Sequence, residues 1–213
     1  MAARLINEAS FAIALLETFS LPIQACFERE PVAADRLTAG ERAVFETLAA
    51  PARQASWLRG RAALKRLQGT LGGAEDTSIL KFPHPKLSLT HSETWAIAVG
   101  STSPKLLGIG VDLEVKGVPK PETARRFLNP AELVWLRRMD EGDRPKMLHR
   151  LWTVKEATFK ADPDNAGKTL RDYGLADPGF VAGKARRGER VFYYTSFEVP
   201  GGFLSVAVLP AVE

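Results

Sequence analysis

The sequence LWTVKEATFKA, residues 151–161, is the stretch that decides how the C-terminal half of this chain folds. Its apolar side chains recur at helical spacing and predict one buried stripe, formed by Leu148, Leu151, Trp152 and Phe159. Glu156 and Lys160 stand four residues apart beside that stripe, so on a helix they share a face and can meet one ligand. Taken alone, such a pair is most often an exposed salt bridge worth about 0.3–0.5 kcal/mol.

A second stretch, GIGVDLEV at residues 108–115, gives that pair a context. Alternation predicts a strand whose core face carries Ile109, Val111, Leu113 and Val115. Its other face carries two glycines, Asp112 and Glu114. Glycine weakens a strand unless something approaches its backbone, and neighbouring carboxylates repel unless a cation neutralises them. The strand therefore predicts a divalent cation held by oxygen ligands, magnesium or manganese.

The composition indicates a folded chain with a sizeable core. With 213 residues, 45% of them hydrophobic, the chain is long enough for one domain or two intimately packed halves. The net charge of +4 and the pI near 9.3 permit an anionic partner, but the cations are spread along the chain and do not demand nucleic acid. Cys26 is the single cysteine, which excludes an internal disulfide and a cysteine-rich zinc site and fits a reducing cytoplasm.

The N-terminal region faintly resembles a secretory signal, because an apolar run at residues 11–16 follows Arg4. Glu17 interrupts this run before it reaches the usual length of about 7–15 residues, and no convincing small-residue cleavage site is present. We therefore predict that residues 11–16 form the first core strand. No run approaches the roughly 18 apolar residues of a membrane helix, so a soluble protein is expected.

Two helices are predicted between residues 38 and 68. Thr38 and Glu41 form a capping box at the start of the first helix, and Pro51 opens the second, which runs to about Gln68. The second helix has small residues that let a neighbour or a ligand come close, and it carries the cations Arg53, Arg59, Arg61, Lys65 and Arg66. For Arg59 and Arg66 we expect a solvated helix face.

A histidine lies at the turn before the next strand. His91 and Ser92 precede an alternating segment in which Trp95, Ile97 and Val99 face one way. An isolated histidine in a loop is usually just solvated, so His91 carries little weight by itself.

A faint internal duplication is also visible. Each half offers a helix with small residues and cations, followed by loops and alternating strands. We therefore expect an α/β (α+β) fold of two pseudo-twofold-related halves, residues 1–103 and 104–213, divided at the Ser/Pro linker of residues 101–105. Different strand orders in the two halves would reject the duplication.

Three stretches coincide in order and spacing with one known family. Residues 110–114, GVDLE, resemble its G-[IV]-D-[ILV]-E signature, and residues 152–160, WTVKEATFK, resemble its W-x-x-K-E-[AS]-x-x-K signature. Residues 88–92, SLTHS, resemble the S-x-S-H-S loop before them, and the helix around residues 60–64 resembles the family's arginine-bearing helix. From about residue 37 to residue 160, the chain is similar to the 4′-phosphopantetheinyl transferases of the Sfp type, which activate carrier proteins of peptide and polyketide synthases.

This resemblance implies a holo-[acyl-carrier-protein] synthase, or 4′-phosphopantetheinyl transferase. Such an enzyme moves the phosphopantetheine arm of coenzyme A to a serine hydroxyl of an apo acyl or peptidyl carrier protein and releases 3′,5′-ADP. It also implies a cytoplasmic monomer of two similar α/β halves, with coenzyme A and magnesium (or manganese) in the cleft between them, and with neither nucleic acid nor membrane as a partner.

The resemblance further implies roles for particular residues. Carried over by motif position, the metal ligands are Asp112, Glu114 and Glu156, and the catalytic residues are Glu156, Lys160 and Asp112. The coenzyme A contacts are Lys86, Thr90, His91, Ser92 and Lys160, helped by Arg53 or Arg61. Whether Glu156 is a ligand, a general base or both stays open at this point.

Two departures from the family pattern bear on these roles. The family often has a glycine-lysine-proline turn before the histidine loop, whereas this chain has KFPHPK at residues 81–86, so the lysine that meets a phosphate is ambiguous. Thr90 replaces the usual serine and keeps the hydroxyl. Carrier docking is a looser inference: residues 125–128, basic and apolar together, either receive an acidic carrier helix or form a helix end with solvated arginines.

Two other classes of function were weighed. Another magnesium-dependent phosphotransferase or hydrolase acting on a nucleotide lacks support, because the sequence has no G-x-x-x-x-G-K-[ST] loop and no G-x-G-x-x-G fingerprint. A basic nucleic-acid-binding module is disfavoured, because the cations are not interleaved with aromatic residues on one strand face.

Overall fold

The computed structural model describes residues 7–117 and 119–211, and in these residues helices and strands are mixed along the chain. The outer ends of the two expected halves lie outside the described residues. The α-helices are α1 (Glu8–Phe19), α2 (Ala39–Glu46), α3 (Pro51–Leu71), α4 (Ala124–Phe127), α5 (Pro130–Arg137) and α6 (Arg144–Lys160). The strands are β1 (Gln24–Glu28), β2 (Leu87–His91), β3 (Ala96–Gly100), β4 (Leu106–Glu114), β5 (Gly174–Leu175), β6 (Ala182–Arg187), β7 (Arg190–Val199) and β8 (Gly202–Pro210).

The first element is a helix, so the prediction of a core strand at residues 11–16 is wrong. The side chain of Asn7 caps α1 by accepting a hydrogen bond from the backbone N–H of Ser10, and Phe11 and Leu15 bury one face of the helix. Ile13 and Leu16 remain 57% and 50% exposed. A short apolar run fits a strand and a helix equally well, and only the packing of α1 distinguishes the two.

The two halves repeat one topology. In the first half, α3 lies in the chain between β1 and β2, and the antiparallel strands are ordered β1-β3-β2. In the second half, α6 follows β4 and the strands β4, β8 and β7 are arranged in the same antiparallel order, extended by β6 and β5. The strand orders therefore agree, as a duplication predicts, and the boundary at residues 103 and 104 stays a prediction.

The core lies between the two sheets and under the two long helices. One apolar cluster joins side chains from both sheets with α1, including Phe11, Ile97 and Val111. A second cluster packs α6 against β7 and β8, and a third packs α3 against the first sheet. Each half thus has a helix on its outer face and contributes a sheet to the central core, which brings β2 beside β4.

The glycines of β4 allow the backbone of α6 to lie directly on the strand. A side chain at Gly110 would place its Cβ 1.9 Å from the carbonyl oxygen of Ala157, and one at Gly108 would place it 1.9 Å from that of Ala161. The element that approaches the glycine face is therefore α6, and the metal ion predicted beside this strand is not needed to explain the glycines. This close contact sets the distance between the carboxylates of β4 and the side chains of α6.

Gly110→Ala is expected to destabilise the fold by about 1–3 kcal/mol or more, because an added methyl group forces α6 away from β4. The matched control is Gly69→Ala in α3, where an added Cβ meets nothing within 4 Å. Alanine is the better helix former there, by about 1 kcal/mol. Urea unfolding of both variants checks this, and equal stabilities for the two would contradict it.

A buried carboxylate fastens the end of α6 to the β6–β7 hairpin. Asp162 is fully buried and accepts hydrogen bonds from the hydroxyl of Tyr173 at 2.8 Å, from Nε of Arg187 at 2.6 Å and from Nη1 of Arg190 at 2.8 Å. Burial alone would raise the pKa of Asp162, but the hydrogen bonds from Arg187 and Tyr173 outweigh it and hold the pKa below its usual value.

Asp162→Asn is therefore expected to lower stability at pH 7 by roughly 1.5–3 kcal/mol, the range for hydrogen bonds to a charged group. Because the folded-state pKa lies below the unfolded value of about 3.9, the contribution of the carboxylate is present above pH 4 and is lost as the pH falls through the folded pKa. The difference in stability between wild type and Asp162→Asn should therefore disappear at acidic pH. Asp164→Asn, whose side chain is 63% exposed, should change little at any pH.

The remaining elements mostly agree with the sequence. The predicted capping box at Thr38 is formed, and α3 begins at Pro51 as predicted. A second capping box is formed at Asn129. Strands β5 and β6 were missed. Within residues 7–117 and 119–211, no helix is both long and apolar enough to cross a membrane.

Candidate functional site

Asp112 is the buried centre of the candidate site. It is only 5% exposed, on the face of β4 that meets α6. Its Oδ1 lies 2.7 Å from the ammonium nitrogen of Lys160, which also bonds the carbonyl of Val111 at 3.3 Å. In the described part of the chain its second oxygen, Oδ2, is buried without a hydrogen-bond partner. An unpaired buried carboxylate oxygen is costly, which marks this atom as the place where a further cation or donor belongs.

Glu114 lies two residues further along the same face. Its Oε1 accepts a hydrogen bond of 3.3 Å from the indole N–H of Trp152 in α6. Burial and then the neighbouring carboxylate of Asp112 raise the pKa of Glu114. β4 and α6 therefore hold the carboxylate of Glu114 in place, although burial and the charge of Asp112 disfavour its ionised form.

Glu156 completes the acidic side of the site. Burial is the main cause that raises the pKa of Glu156; Lys160 lowers it, while Asp112 and Glu114 raise it further. Because the charges of Lys160, Asp112 and Glu114 shift the pKa of Glu156, all three lie within electrostatic reach of it. A carboxylate with a raised pKa is a better proton acceptor near neutral pH than an ordinary glutamate.

Side-chain hydroxyls join this acidic side to the first half of the chain. The hydroxyl of Ser88 accepts a hydrogen bond of 3.0 Å from the N–H of Val111, and that of Thr90 accepts one of 3.1 Å from the N–H of Leu113. Thr90 also lies 3.5 Å from Oδ1 of Asp112. Thr90 is therefore buried in the junction between β2 and β4, where its hydroxyl holds the strand of Asp112.

His91 ends β2 on the other side of this junction. Its Nδ1 lies 3.0 Å from the hydroxyl of Ser56 in α3. The pKa of His91 is lowered, first by partial burial of the ring and next by Lys160, with smaller effects from Arg59 and Arg61. His91 thus stands where cations from α3 and α6 converge, a setting that favours an anionic ligand.

The two candidate arginines of α3 differ. Arg61 bonds the backbone oxygen and the hydroxyl of Thr77, both at 3.2 Å, and its guanidinium lies over the ring of Trp57. Its Nε is buried without a partner among the described residues, and burial lowers the pKa of Arg61. Arg53 is exposed in the first turn of α3. Arg61 is therefore held by Thr77 and lies within electrostatic reach of His91, whereas Arg53 stays at the surface.

The side chains of Lys86 and Ser92 form hydrogen bonds with nearby backbone groups. The ammonium of Lys86 bonds the carbonyls of Ser103, at 2.7 Å, and of Leu106, which ties it to the segment between the halves. The hydroxyl of Ser92 accepts hydrogen bonds from the N–H groups of Thr94 and Trp95 and so closes the turn before β3. The predicted contact of these two groups with coenzyme A stays a prediction.

Of the two arginines expected on a solvated helix face, Arg66 is exposed and Arg59 is half-buried, and both have local partners. Arg59 bonds the carbonyls of Arg29, at 2.8 Å, and of Ser92. Arg66 forms ion pairs with Glu8 and Glu28. Both arginines fasten α3 to neighbouring segments, because long cationic side chains on a helix reach the carbonyls and carboxylates beside it.

The carboxylate oxygens of the site are ligands that suit a divalent cation, but they are not arranged around a common point. In residues 7–117 and 119–211, no three His, Cys, Asp or Glu side chains are arranged to hold a metal ion. Burial and, to a smaller degree, Asp112 and Glu114 nevertheless raise the pKa of Glu156, and Oδ2 of Asp112 is buried and unpaired among the described residues. Oxygen donors of this kind suit magnesium or manganese, and the cation that faces Asp112 here is the ammonium of Lys160.

Sequence reasoning missed two polar contacts of the site. Trp152 was assigned to the apolar stripe, yet its N–H bonds Glu114; its position four residues before Glu156 was an available signal. Ser56 contacts His91 across 35 positions of sequence, and no local pattern predicts a contact between segments so far apart.

The fold and the site together define a class: an α+β protein that can hold an anionic ligand between buried carboxylates and converging cations. Residues 108–188 match the family model described as the 4′-phosphopantetheinyl transferase superfamily. This segment contains most of β4 and all of α6, with all four residues of the acidic side of the site. The match covers less than half of the chain and includes both motifs on which the resemblance rests.

One relative and two solved structures add to this comparison. A Synechocystis protein named “Putative 4′-phosphopantetheinyl transferase” is 36% identical over 80 residues, which is 36% of this chain; the chain spans only about a third of that relative, 31%. The Thermotoga maritima holo-[acyl-carrier-protein] synthase is 20% identical with a TM-score of 0.39, over 51% of this chain and 66% of that one. The Bacillus anthracis holo-(acyl-carrier-protein) synthase in complex with CoA (3′,5′-ADP) is 18% identical with a TM-score of 0.40, over 50% and 98%. Structural likeness of this size over half the chain does not by itself define a fold or an activity.

Proposed function

We propose that this protein transfers the 4′-phosphopantetheine arm of coenzyme A to a serine hydroxyl of an apo acyl or peptidyl carrier protein, with magnesium, and releases 3′,5′-ADP. One observation carries the proposal. Two motifs some forty residues apart, both in the segment that matches the superfamily, bring Asp112, Glu114, Glu156 and Lys160 to one place around a buried, unpaired carboxylate oxygen.

The reaction needs few covalent contributions from the protein. The serine oxygen attacks the pyrophosphate phosphorus that bears the pantetheine arm, and the bond from that phosphorus to the 3′,5′-ADP oxygen breaks with its electron pair on the leaving group. The serine proton passes to a carboxylate, for which Glu156 is suited because burial raises its pKa. Such general-base help contributes typically about 10²–10⁴-fold to a rate.

Charge neutralisation is the larger requirement in phosphoryl transfer. Asp112, Glu114 and Glu156 are the residues that would hold magnesium, and the ion, when bound, polarises the phosphoryl oxygens. Lys160 brings a further positive charge to the same place. At the other end, His91 and Arg61 are the groups that would meet the adenosine phosphate, because they lie where the cations of α3 and α6 converge.

The test is the intact mass of an apo carrier protein after incubation with the full chain, coenzyme A and magnesium. The expected result is a gain of one phosphopantetheine unit that a chelator abolishes. Release of 3′,5′-ADP without a change in the carrier would indicate a hydrolase instead. No mass gain on peptide-synthetase, polyketide or fatty-acid carriers, together with no binding of coenzyme A, would overturn the proposal.

A groove in the second half of the chain is suited to receive the carrier protein. It has a volume of about 800 Å³ and lies between the segment before α4, α5 and the start of α6, with Leu133 and Leu136 among its apolar lining. Its cations Lys120, Arg125, Arg137 and Arg144 outnumber the carboxylates Glu122 and Glu141. An amphipathic acidic helix, such as a carrier presents, fits an apolar groove with a positive rim.

The groove corrects the docking site expected at residues 125–128. Phe127 and Leu128 are fully buried in the core, so they offer no surface to a partner. The apolar contribution comes instead from α5 and α6, and Arg125 remains as the exposed cation of the original four residues that lines the groove.

Arg125→Glu is expected to raise the KM for the carrier protein by about tenfold, equivalent to about 1.4 kcal/mol, while the KM for coenzyme A stays unchanged. The neighbouring arginine supplies the control, because Arg126 is exposed but does not line the groove. Steady-state kinetics with each substrate varied in turn check this. Equal effects of Arg125→Glu and Arg126→Glu would place the carrier elsewhere.

A further inference from the structure

Ser56 is a polar residue of α3 to which neither the motifs nor the proposed reaction assigns a role. A serine within a helix often turns its hydroxyl back to the carbonyl one turn earlier. Here the hydroxyl lies 3.0 Å from Nδ1 of His91, which is at the end of β2 and 35 residues away. The contact spans two elements that pack together on the first sheet.

We propose that Ser56 is a positioning residue: its hydroxyl donates to Nδ1 of His91 and fixes the ring with its Nε2–H turned towards an anionic group of the ligand. The proposal rests on the proposed function, in which His91 meets the phosphate on the adenosine of coenzyme A. It adds the group that selects the tautomer and the orientation of the imidazole.

The chemistry of imidazole supports this arrangement. A neutral histidine carries one N–H and one acceptor nitrogen, so a hydroxyl that donates to Nδ1 leaves the hydrogen on Nε2. Partial burial and the cations Lys160, Arg59 and Arg61 lower the pKa of His91 and favour the neutral ring before a ligand binds. A neutral ring is useful to an anion only if the nitrogen that faces it carries the hydrogen, and this is the state that Ser56 selects.

The packing of α3 beside β2 also explains why a hydroxyl on this helix can orient the ring of His91. The ring of His91 is attached to the exposed end of a strand, and an exposed side chain samples several rotamers. A second contact, from a helix that packs against the same sheet, restricts that freedom before the ligand arrives. Holding a binding group in its bound orientation reduces the ordering cost of association.

The experiment combines binding with a spectroscopic measurement on the full chain. Ser56→Ala removes the hydroxyl, Ser56→Thr keeps it, and both are compared with wild type and His91→Ala. Binding of coenzyme A and of 3′-dephospho-coenzyme A is measured by calorimetry in magnesium buffer. The ¹⁵N shifts of the His91 imidazole report its tautomer.

The expected result is that Ser56→Ala weakens coenzyme A binding about three- to tenfold, as expected for the loss of one hydrogen bond, and leaves dephospho-coenzyme A binding unchanged. Its imidazole should change from one Nε2–H tautomer to a mixture of tautomers, Ser56→Thr should retain both properties, and His91→Ala should remove the preference for the 3′-phosphate. An unchanged tautomer in Ser56→Ala, or equal weakening of both ligands, would overturn the inference. Wild-type protein that binds no coenzyme A would overturn the proposed function and the ligand half of this inference, while the imidazole spectrum would still decide the contact itself.

Discussion

Asp112→Ala and Glu156→Ala are expected to fold and to lose transfer of phosphopantetheine. For Glu156 the loss should be at least about 10²–10⁴-fold, the usual contribution of a general base. For Asp112 we expect a loss at least as large, because its carboxylate is the buried member of the acidic set and the partner of Lys160.

Both variants should keep the fold for physical reasons. Removing Asp112 leaves the ammonium of Lys160, but this side chain is 31% exposed and also bonds the carbonyl of Val111, so it can be hydrated. Burial raises the pKa of Glu156, Lys160 lowers it, and the neighbouring carboxylates Asp112 and Glu114 raise it further. Deletion of the Glu156 carboxylate therefore relieves repulsion, and it is expected to change the free energy of unfolding by less than about 1 kcal/mol.

Transfer rates and urea unfolding on the same samples check this expectation. Glu189→Ala is the matched control, because Glu189 is an exposed carboxylate in the β6–β7 turn of the same half and is outside the acidic side of the site. Full transfer by Asp112→Ala or by Glu156→Ala would remove the acidic cluster from the reaction. Unfolding of either variant at ambient temperature would show that the site is structural.

Lys155→Met is expected to lose about 3–5 kcal/mol of stability, the cost of breaking a buried ion pair by removing one partner. Lys155 is fully buried, and its ammonium lies 2.7 Å from Oε1 of Glu132 and bonds the carbonyl of Tyr173. Glu132 also accepts hydrogen bonds from the N–H of Leu175, at 2.7 Å, and from the N–H of Asn129 at the start of α5. Without Lys155 the carboxylate stays buried with its charge uncompensated.

The effect should be transmitted to the site through α6. Lys155 precedes Glu156 in the same helix, and the ion pair holds that helix to α5 and β5. A double variant, Lys155→Met with Glu132→Gln, should recover part of the stability, because a neutral amide still caps α5 and no buried charge is left unpaired. Lys168→Met, at an exposed position, is the control. Equal stability of Lys155→Met and Lys168→Met would show that the pair contributes nothing.

Local sequence patterns predicted much of this fold because their causes are local. The alternation of β4 put Ile109, Val111 and Leu113 in the core and Asp112 and Glu114 on the opposite face, as observed. Capping boxes depend on residues three apart, and the box predicted at Thr38 and Glu41 forms. The spacing of Glu156 and Lys160 on one helix, together with the motif of β4, was enough to gather the acidic side of the site before any tertiary contact was known.

The tertiary structure decided the features that depend on distant partners. The apolar run at residues 11–16 is a helix because Phe11 and Leu15 pack between elements far away in the sequence. The glycines of β4 serve the approach of α6, and the hydroxyls of Ser88 and Thr90 connect the two sheets. In each case the local sequence allows several contacts, and the tertiary fold determines which partner lies close enough to form one.

The same division holds for the candidate site. Sequence alone predicted which residue types would carry the proposed chemistry, because paired carboxylates, a lysine one turn after a glutamate and a histidine loop stand in fixed local spacing. Tertiary structure decided which of the proposed groups face one another: Lys160 bonds Asp112, Trp152 bonds Glu114 and Ser56 bonds His91, while Lys86 is turned to backbone carbonyls. The physical reason is that hydrogen bonds and burial are set by distances in space, and those follow from how β2, β4, α3 and α6 pack together.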